Sequence, residues 1–223
     1  MMSVQFDMKR DHALKILCLG AHCDDIEIGC GGTLLELLKK YRNADVHWVV
    51  FSSTPKRKKE ATECAKLFLK QAGTKTIRIE AFRDGYFPYE GAVIKDYFEM
   101  LKKKHQPDVI FTHYRMDLHQ DHRLISELTW NTYRNNLILE YEIPKYDGDF
   151  GTPNVFVQLD EQACLYKIRS ILNHFRSQNN KHWLTENLLL SVMRIRGMEC
   201  PSSTDYAEAF HCKKILFWKT FSN

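Results

Sequence analysis

Between an apolar run and a glycine-rich helix start, the chain places a histidine and two adjacent carboxylates in Ala21-His22-Cys23-Asp24-Asp25-Ile26-Glu27. Upstream, Lys15 to Gly20 is a short apolar stretch of the kind a strand shows when both faces of its sheet are covered. Downstream, Gly29-Cys30-Gly31-Gly32-Thr33 leads into Leu34, Leu35, Leu37 and Leu38, an apolar face at helical spacing. A histidine and two aspartates therefore sit at the carboxyl end of a strand, where open α/β sheets keep their ligands.

His22, Asp24 and Asp25 offer the imidazole nitrogen and carboxylate oxygens that a zinc-like cation accepts. Adjacent side chains on a turning backbone point apart, so one aspartate can hold a metal while the other faces a water. The plainer reading is a helix cap made by Asp25. A second stretch shifts the balance. Asp108-Val109-Ile110-Phe111-Thr112 reads as another buried strand, and His113, Asp117, His119, Asp121 and His122 follow it, three histidines and two aspartates in ten positions. The two stretches follow separate strands at the same end of a sheet. A catalytic zinc takes three protein ligands and keeps a position for water. His22, Asp25 and His122 supply the three, Asp24 is left as general base, and His119 is left as a second acid/base or oxyanion partner oriented by Asp121.

Here the chain resembles the PIG-L/LmbE family of zinc-dependent N-deacetylases. The resemblance rests on His22-Cys23-Asp24-Asp25-Ile26-Glu27 with Gly29-Cys30-Gly31-Gly32, and on His119-Gln120-Asp121-His122. Weaker likenesses are Arg57-Lys58-Lys59-Glu60, Arg83-Asp84-Gly85, Ser177-Gln178 and Tyr206-Ala207-Glu208-Ala209-Phe210. The resemblance implies His22, Asp25 and His122 as zinc ligands, Asp24 as base and His119 as electrostatic partner of the tetrahedral intermediate. It implies an N-acetylated amino sugar as substrate, nucleotide-linked or glycosidically attached, with Zn2+ or another divalent transition metal as cofactor. Cys23 departs from the proline common in relatives, so its thiol either packs or becomes a stray ligand.

The 223 residues allow one α/β domain, and the 44% hydrophobic and 27% charged shares are those of a soluble globule. No apolar run reaches bilayer length and Met1 to His12 lacks a signal-peptide segment, which predicts no membrane span and a cytoplasmic location. Seven cysteines without a Cys-x-x-Cys pair read as free, mostly buried thiols. The net charge of +4 is mild, and nothing resembles a nucleic-acid module. Lys56 to Lys59 is the one dense basic run, either a wet helix start or a contact for an anionic substrate. Gly31-Gly32 lacks the Gly-x-Gly-x-x-Gly spacing of a dinucleotide site, which argues against an oxidoreductase.

Further strands are read at Asp45 to Phe51, Thr76 to Phe82, Leu137 to Glu142, Asn154 to Leu159 and Ile215 to Trp218. Helices begin near Lys56, run from Ala92 to Lys104, from Leu124 to about Tyr133, from Glu161 to Phe175, and from Asn179 to Arg196 with Gly197 as a stop. The alternation predicts a single-domain, Rossmann-like three-layer α/β sandwich over residues 1–223, with a mostly parallel sheet and a metal site at the carboxyl ends of its strands. Asp84 is placed to meet a sugar hydroxyl, Tyr86 or Phe87 to pack on a ring, and Arg57 to bind phosphate or sugar. His211 is left out of the metal set, and homo-oligomer formation is left open. Two other readings stand beside the sugar deacetylase. One is a zinc amidase on a non-sugar acylated metabolite, the other a non-catalytic binding protein of the same fold.

Overall fold

Apolar strands alternating with one-faced helices bury both kinds of surface only when helices cover the two sides of a shared sheet. The computed structural model describes residues 3–6, 12–178 and 180–216. Its order is β1 (Lys15–Gly20), α1 (Asp25–Lys40), β2 (Asp45–Val50), α2 (Pro55–Phe68), β3 (Thr74–Ile79), α3 (Gly91–Lys104), β4 (Val109–His113), α4 (Gln120–Thr132), β5 (Leu137–Tyr141), β6 (Val155–Leu159), α5 (Glu161–His174), α6 (Glu186–Glu199) and β7 (Tyr206–His211). These form one α/β domain with a single sheet, ordered β3-β2-β1-β4-β5-β7-β6. β3, β2, β1, β4 and β5 pair in parallel, while β7 runs antiparallel to both β5 and β6.

The pleat of β1 divides the interior. Ile16 and Cys18 join a core with α1, α2, α5 and α6, whereas Leu17 and Leu19 face the core under α3 and α4. The chain leaves β1 toward β2 and β3, then returns to place β4 on the other side of β1. Loops leaving β1 and β4 therefore diverge, and the crevice between them is where such sheets bind ligands.

α1 crosses this region at close range. A Cβ added at Gly29 would lie 2.1 Å from Cδ2 of Tyr141, whose hydroxyl donates to the Leu19 carbonyl at 2.6 Å. Gly29→Ala is expected to destabilise the protein by about 1–3 kcal/mol, because a buried ring and a helix backbone must both shift. A denaturant midpoint unchanged from wild type would contradict this packing.

Three readings of the carboxyl-terminal third are corrected. Among the described residues the last strand is Tyr206–His211; Ile215 and Leu216 are exposed coil, and Phe217 and Trp218 lie outside the described residues. α6 starts later than Asn179, itself outside the described residues, at a cap where Thr185 Oγ1 accepts from the Leu188 amide at 3.2 Å. Gly197 lies inside α6 rather than ending it, since its missing Cβ makes room for the Asp205 carbonyl oxygen, which a Cβ would meet at 2.0 Å. Ile195 is exposed, because Leu189 and Met193 take the core face. Among the described residues no helix is long and apolar enough to cross a membrane.

Candidate active site

The loop after β1 and the first turns of α1 and α4 bring His22, Asp25 and His122 together. His22 Nδ1 lies 3.2 Å from His122 Nε2, and Asp25 Oδ2 lies 3.6 Å from the first and 3.7 Å from the second. A tetrahedral ion with bonds of about 2.05 Å requires neighbouring donors about 3.3 Å apart. The trio fits that requirement, and all three residues are buried. The outer nitrogens are taken by carboxylates. His22 Nε2 meets Asp121 Oδ2 at 3.2 Å and Asp84 Oδ1 at 3.0 Å, and His122 Nδ1 meets Asp117 Oδ2 at 3.0 Å. Ionised carboxylates only accept, so these contacts place protons on the outer nitrogens and leave Nδ1 of His22 and Nε2 of His122 facing one another.

Electrostatics follow from burial and partners. Burial alone would lower the His22 pKa, but the carboxylates of Asp121, Asp25 and Asp84 hold it well above the ordinary value. The surroundings that retain a proton there also favour a cation. Burial and the nearby His113 push His122 down to about 4, leaving a neutral imidazole of the kind that ligates metals. Asp25 is opposed by burial, yet His122 and His113 hold it well below the usual carboxylate range. His113, the last residue of β4, borders the trio: its Nε2 accepts the Ala21 amide at 2.9 Å and lies 3.2 Å from Asp25 Oδ2, and its ring stacks on His122.

Asp24 behaves differently from its neighbour. It occupies the position before α1 with φ of 104°, a left-handed conformation costly for a side-chain-bearing residue. Burial raises its pKa to about 7, with Asp25 adding to the rise and Arg57 opposing it. Arg57 turns inward from the first turn of α2, where Thr54 Oγ1 caps the helix, and meets Asp24 Oδ2 at 3.2 Å and the Cys23 carbonyl. Lys56, Lys58 and Lys59 stay exposed, so the basic run contributes one side chain to the site. Glu60, three residues past Arg57, accepts from the amide and hydroxyl of Ser177 and joins two of the weaker motifs. The Cys23 thiol packs, fully buried, with its pKa pushed up to about 12 by burial.

His119 is half-buried at the start of α4, its Nδ1 accepting the Asp121 amide at 3.2 Å, which leaves the ring proton on Nε2. Burial and the charge of His22 lower its pKa, so the ring is neutral. The expected pairing of Asp121 with His119 is corrected here. Asp121 Oδ2 accepts from Gly85 at 2.7 Å and Oδ1 from Phe87 at 3.2 Å, which fixes the carboxylate on His22 instead. Those two amides belong to the loop after β3, which holds Asp84 at the rim with its side chain 65% exposed. Phe87 is fully buried and unavailable to a substrate ring; Tyr86 is open, under the guanidinium of Arg83. His211 lies apart from the trio, its Nε2 on Glu142 at 3.1 Å and its ring stacked on Tyr114. Sequence reasoning assigned no role to Asp117 or Lys145. Asp117 was visible in the histidine-rich loop, but nothing in the sequence marks Lys145, which arrives from the loop after β5.

Residues 17–133, more than half of the chain, match the PIG-L family, described as GlcNAc-PI de-N-acetylase. The uncharacterized deacetylase YaiS of Escherichia coli (strain K12) is 28% identical over 169 residues, spanning 71% of this chain and 89% of that one. The N,N'-diacetylchitobiose deacetylase of Pyrococcus horikoshii, solved with its inhibitor MPG, is similar at 26% identity with a TM-score of 0.69, covering 90% of this chain and 84% of that one. GalB, the 4-carboxy-2-hydroxymuconate hydratase of Pseudomonas putida KT2440, is similar in fold with a TM-score of 0.73 at 15% identity, over 94% of this chain and 100% of that one. The family match runs through both the loop after β1 and the loop after β4, and the chain belongs to the PIG-L family of deacetylases.

Proposed function

We propose that this protein is a zinc-dependent hydrolase that removes an acetyl or other small acyl group from the nitrogen of an amino sugar. The observation that carries this reading is the pairing of a three-donor trio, His22, Asp25 and His122, with a separate buried carboxyl, Asp24, raised to about 7 beside it. A zinc ion held by the trio supplies Lewis acidity, acidifying water and polarising an acyl carbonyl. Asp24 takes the proton of the attacking water and, with a pKa near neutrality, returns it to the departing amine. Arg57 holds the Asp24 carboxylate in register. The neutral His119 donates its Nε2–H toward the oxygen on which negative charge develops. Asp84 and Tyr86, at the open rim, meet sugar hydroxyls and a ring face.

A second reading, an acylated metabolite with an apolar body, is favoured by the exposed Met116, Leu118, Tyr146 and Phe150 on the loops after β4 and β5. Acetate release from a panel of N-acetylated sugars, nucleotide sugars and apolar acyl amides tests both. Turnover of the sugars that stops on chelation and returns with zinc is the expected result. Turnover of the apolar amides alone would transfer the reaction to the second substrate class, and no zinc-dependent turnover of any member would overturn the proposal.

A further inference from the structure

We propose that Lys145 is a positioning residue that sets Asp117 against His119 and His122 at the start of α4 and ties the loop between β5 and β6 to them. The inference rests on the reading of His122 as a metal ligand. Lys145 Nζ lies 3.0 Å from Asp117 Oδ2, the same oxygen that His122 Nδ1 meets at 3.0 Å, while Asp117 Oδ1 accepts the His119 amide at 2.7 Å. One carboxylate thus orients the ring of His122 and the backbone of His119. It does so almost out of contact with water, so its charge needs a partner. Lys145, with only 10% of its side chain exposed, is that partner.

The second partner of Lys145 is Asp149. Oδ2 of that carboxylate also accepts the Leu118 amide at 2.7 Å. Asp149 alone would suffice to satisfy an ammonium four residues before it. Lys145 instead bridges the two carboxylates and so clamps residues 145–149 onto residues 117–119. The clamped loop carries the exposed rings of Tyr146 and Phe150, so what binds against that loop is mechanically joined to His122. Partners that hold a ligating imidazole from outside govern its orientation and basicity, and removing them weakens metal binding.

The test measures zinc affinity by competition with a chromophoric chelator, together with thermal unfolding of the chelated protein, for wild type, Lys145→Met, Lys145→Arg and Asp149→Asn. Lys145→Met is expected to bind zinc about 10- to 100-fold more weakly than wild type, and Lys145→Arg, which keeps the charge, to recover most of that loss. Asp149→Asn keeps the ammonium and weakens its tether and the Leu118 contact, so it is expected to show a smaller loss, which serves where Lys145→Met fails to fold. Wild-type affinity in Lys145→Met or, should that variant not fold, in Asp149→Asn overturns the inference. So does a loss that Lys145→Arg does not relieve and that tracks a fall in the unfolding midpoint. A wild-type protein that binds no zinc overturns the ligand reading beneath it, and that arm separates the two failures.

Discussion

Asp24→Asn is expected to lower kcat by about 10²- to 10⁴-fold while zinc content stays at the wild-type level, since the substitution removes a proton acceptor without touching the donor trio. The pH dependence carries the sharper signature. Asp24 has its pKa raised to about 7 by burial, so its base form is lost as pH falls through that value. A nearby cation favours the carboxylate, which places the acid limb of kcat/KM for the loaded enzyme at or below pH 7. Stability of the metal-free protein moves in the matching direction. A folded-state pKa above the unfolded value contributes stability below the unfolded pKa that is lost as pH rises through the folded one. Asparagine removes that loss, so chelated Asp24→Asn should gain thermal stability over wild type at pH 8 and approach it at pH 5. Undiminished turnover in Asp24→Asn would remove this residue from the reaction.

His122→Ala is expected to lose both zinc and activity, because it deletes one of three facing donors and leaves the buried Asp117 without its imidazole. Metal analysis after gel filtration separates the two variants: full zinc without turnover for Asp24→Asn, neither for His122→Ala. Zinc retained at full stoichiometry in His122→Ala would sink the ligand assignment. The same analysis on Asp25→Ala checks that the adjacent aspartates divide their tasks. That division has a visible cause. Asp25 begins α1 and reaches the trio, with its Oδ2 also accepting the His22 amide at 2.6 Å, whereas Asp24 is turned toward Arg57 by its left-handed backbone.

The first five strands and the helices between them were legible in kind because each signal is local, although β3 begins two residues before Thr76 and α4 four residues before Leu124. Lys15 to Gly20 and Asp108 to Thr112 are short runs with apolar residues on both faces, and Thr54-Pro55 announces a helix start. Legibility fails near the end of the chain. Tyr206–His211 alternates weakly, and its strand state comes from pairing with both β5 and β6, partners far away in sequence. Ile215 and Leu216 look strand-like by composition, yet both are exposed and belong to no strand. Gly197 carried the mark of a helix stop, but what decides its identity is the backbone of Asp205 lying against it.

The candidate site divides along the same line. From residue types and strand ends alone, the chain determined that His22, Asp24, Asp25, His119 and His122 share one rim, because a parallel sheet sends all its carboxyl ends to one side. Tertiary structure decided which atom faces which. It turned Asp121 from His119 to His22, buried Phe87, closed Arg57 onto Asp24 and delivered Lys145 to Asp117. Those assignments depend on distances of about 3 Å between groups that different loops carry, and only the order of strands in the sheet and the packing beneath it set such distances.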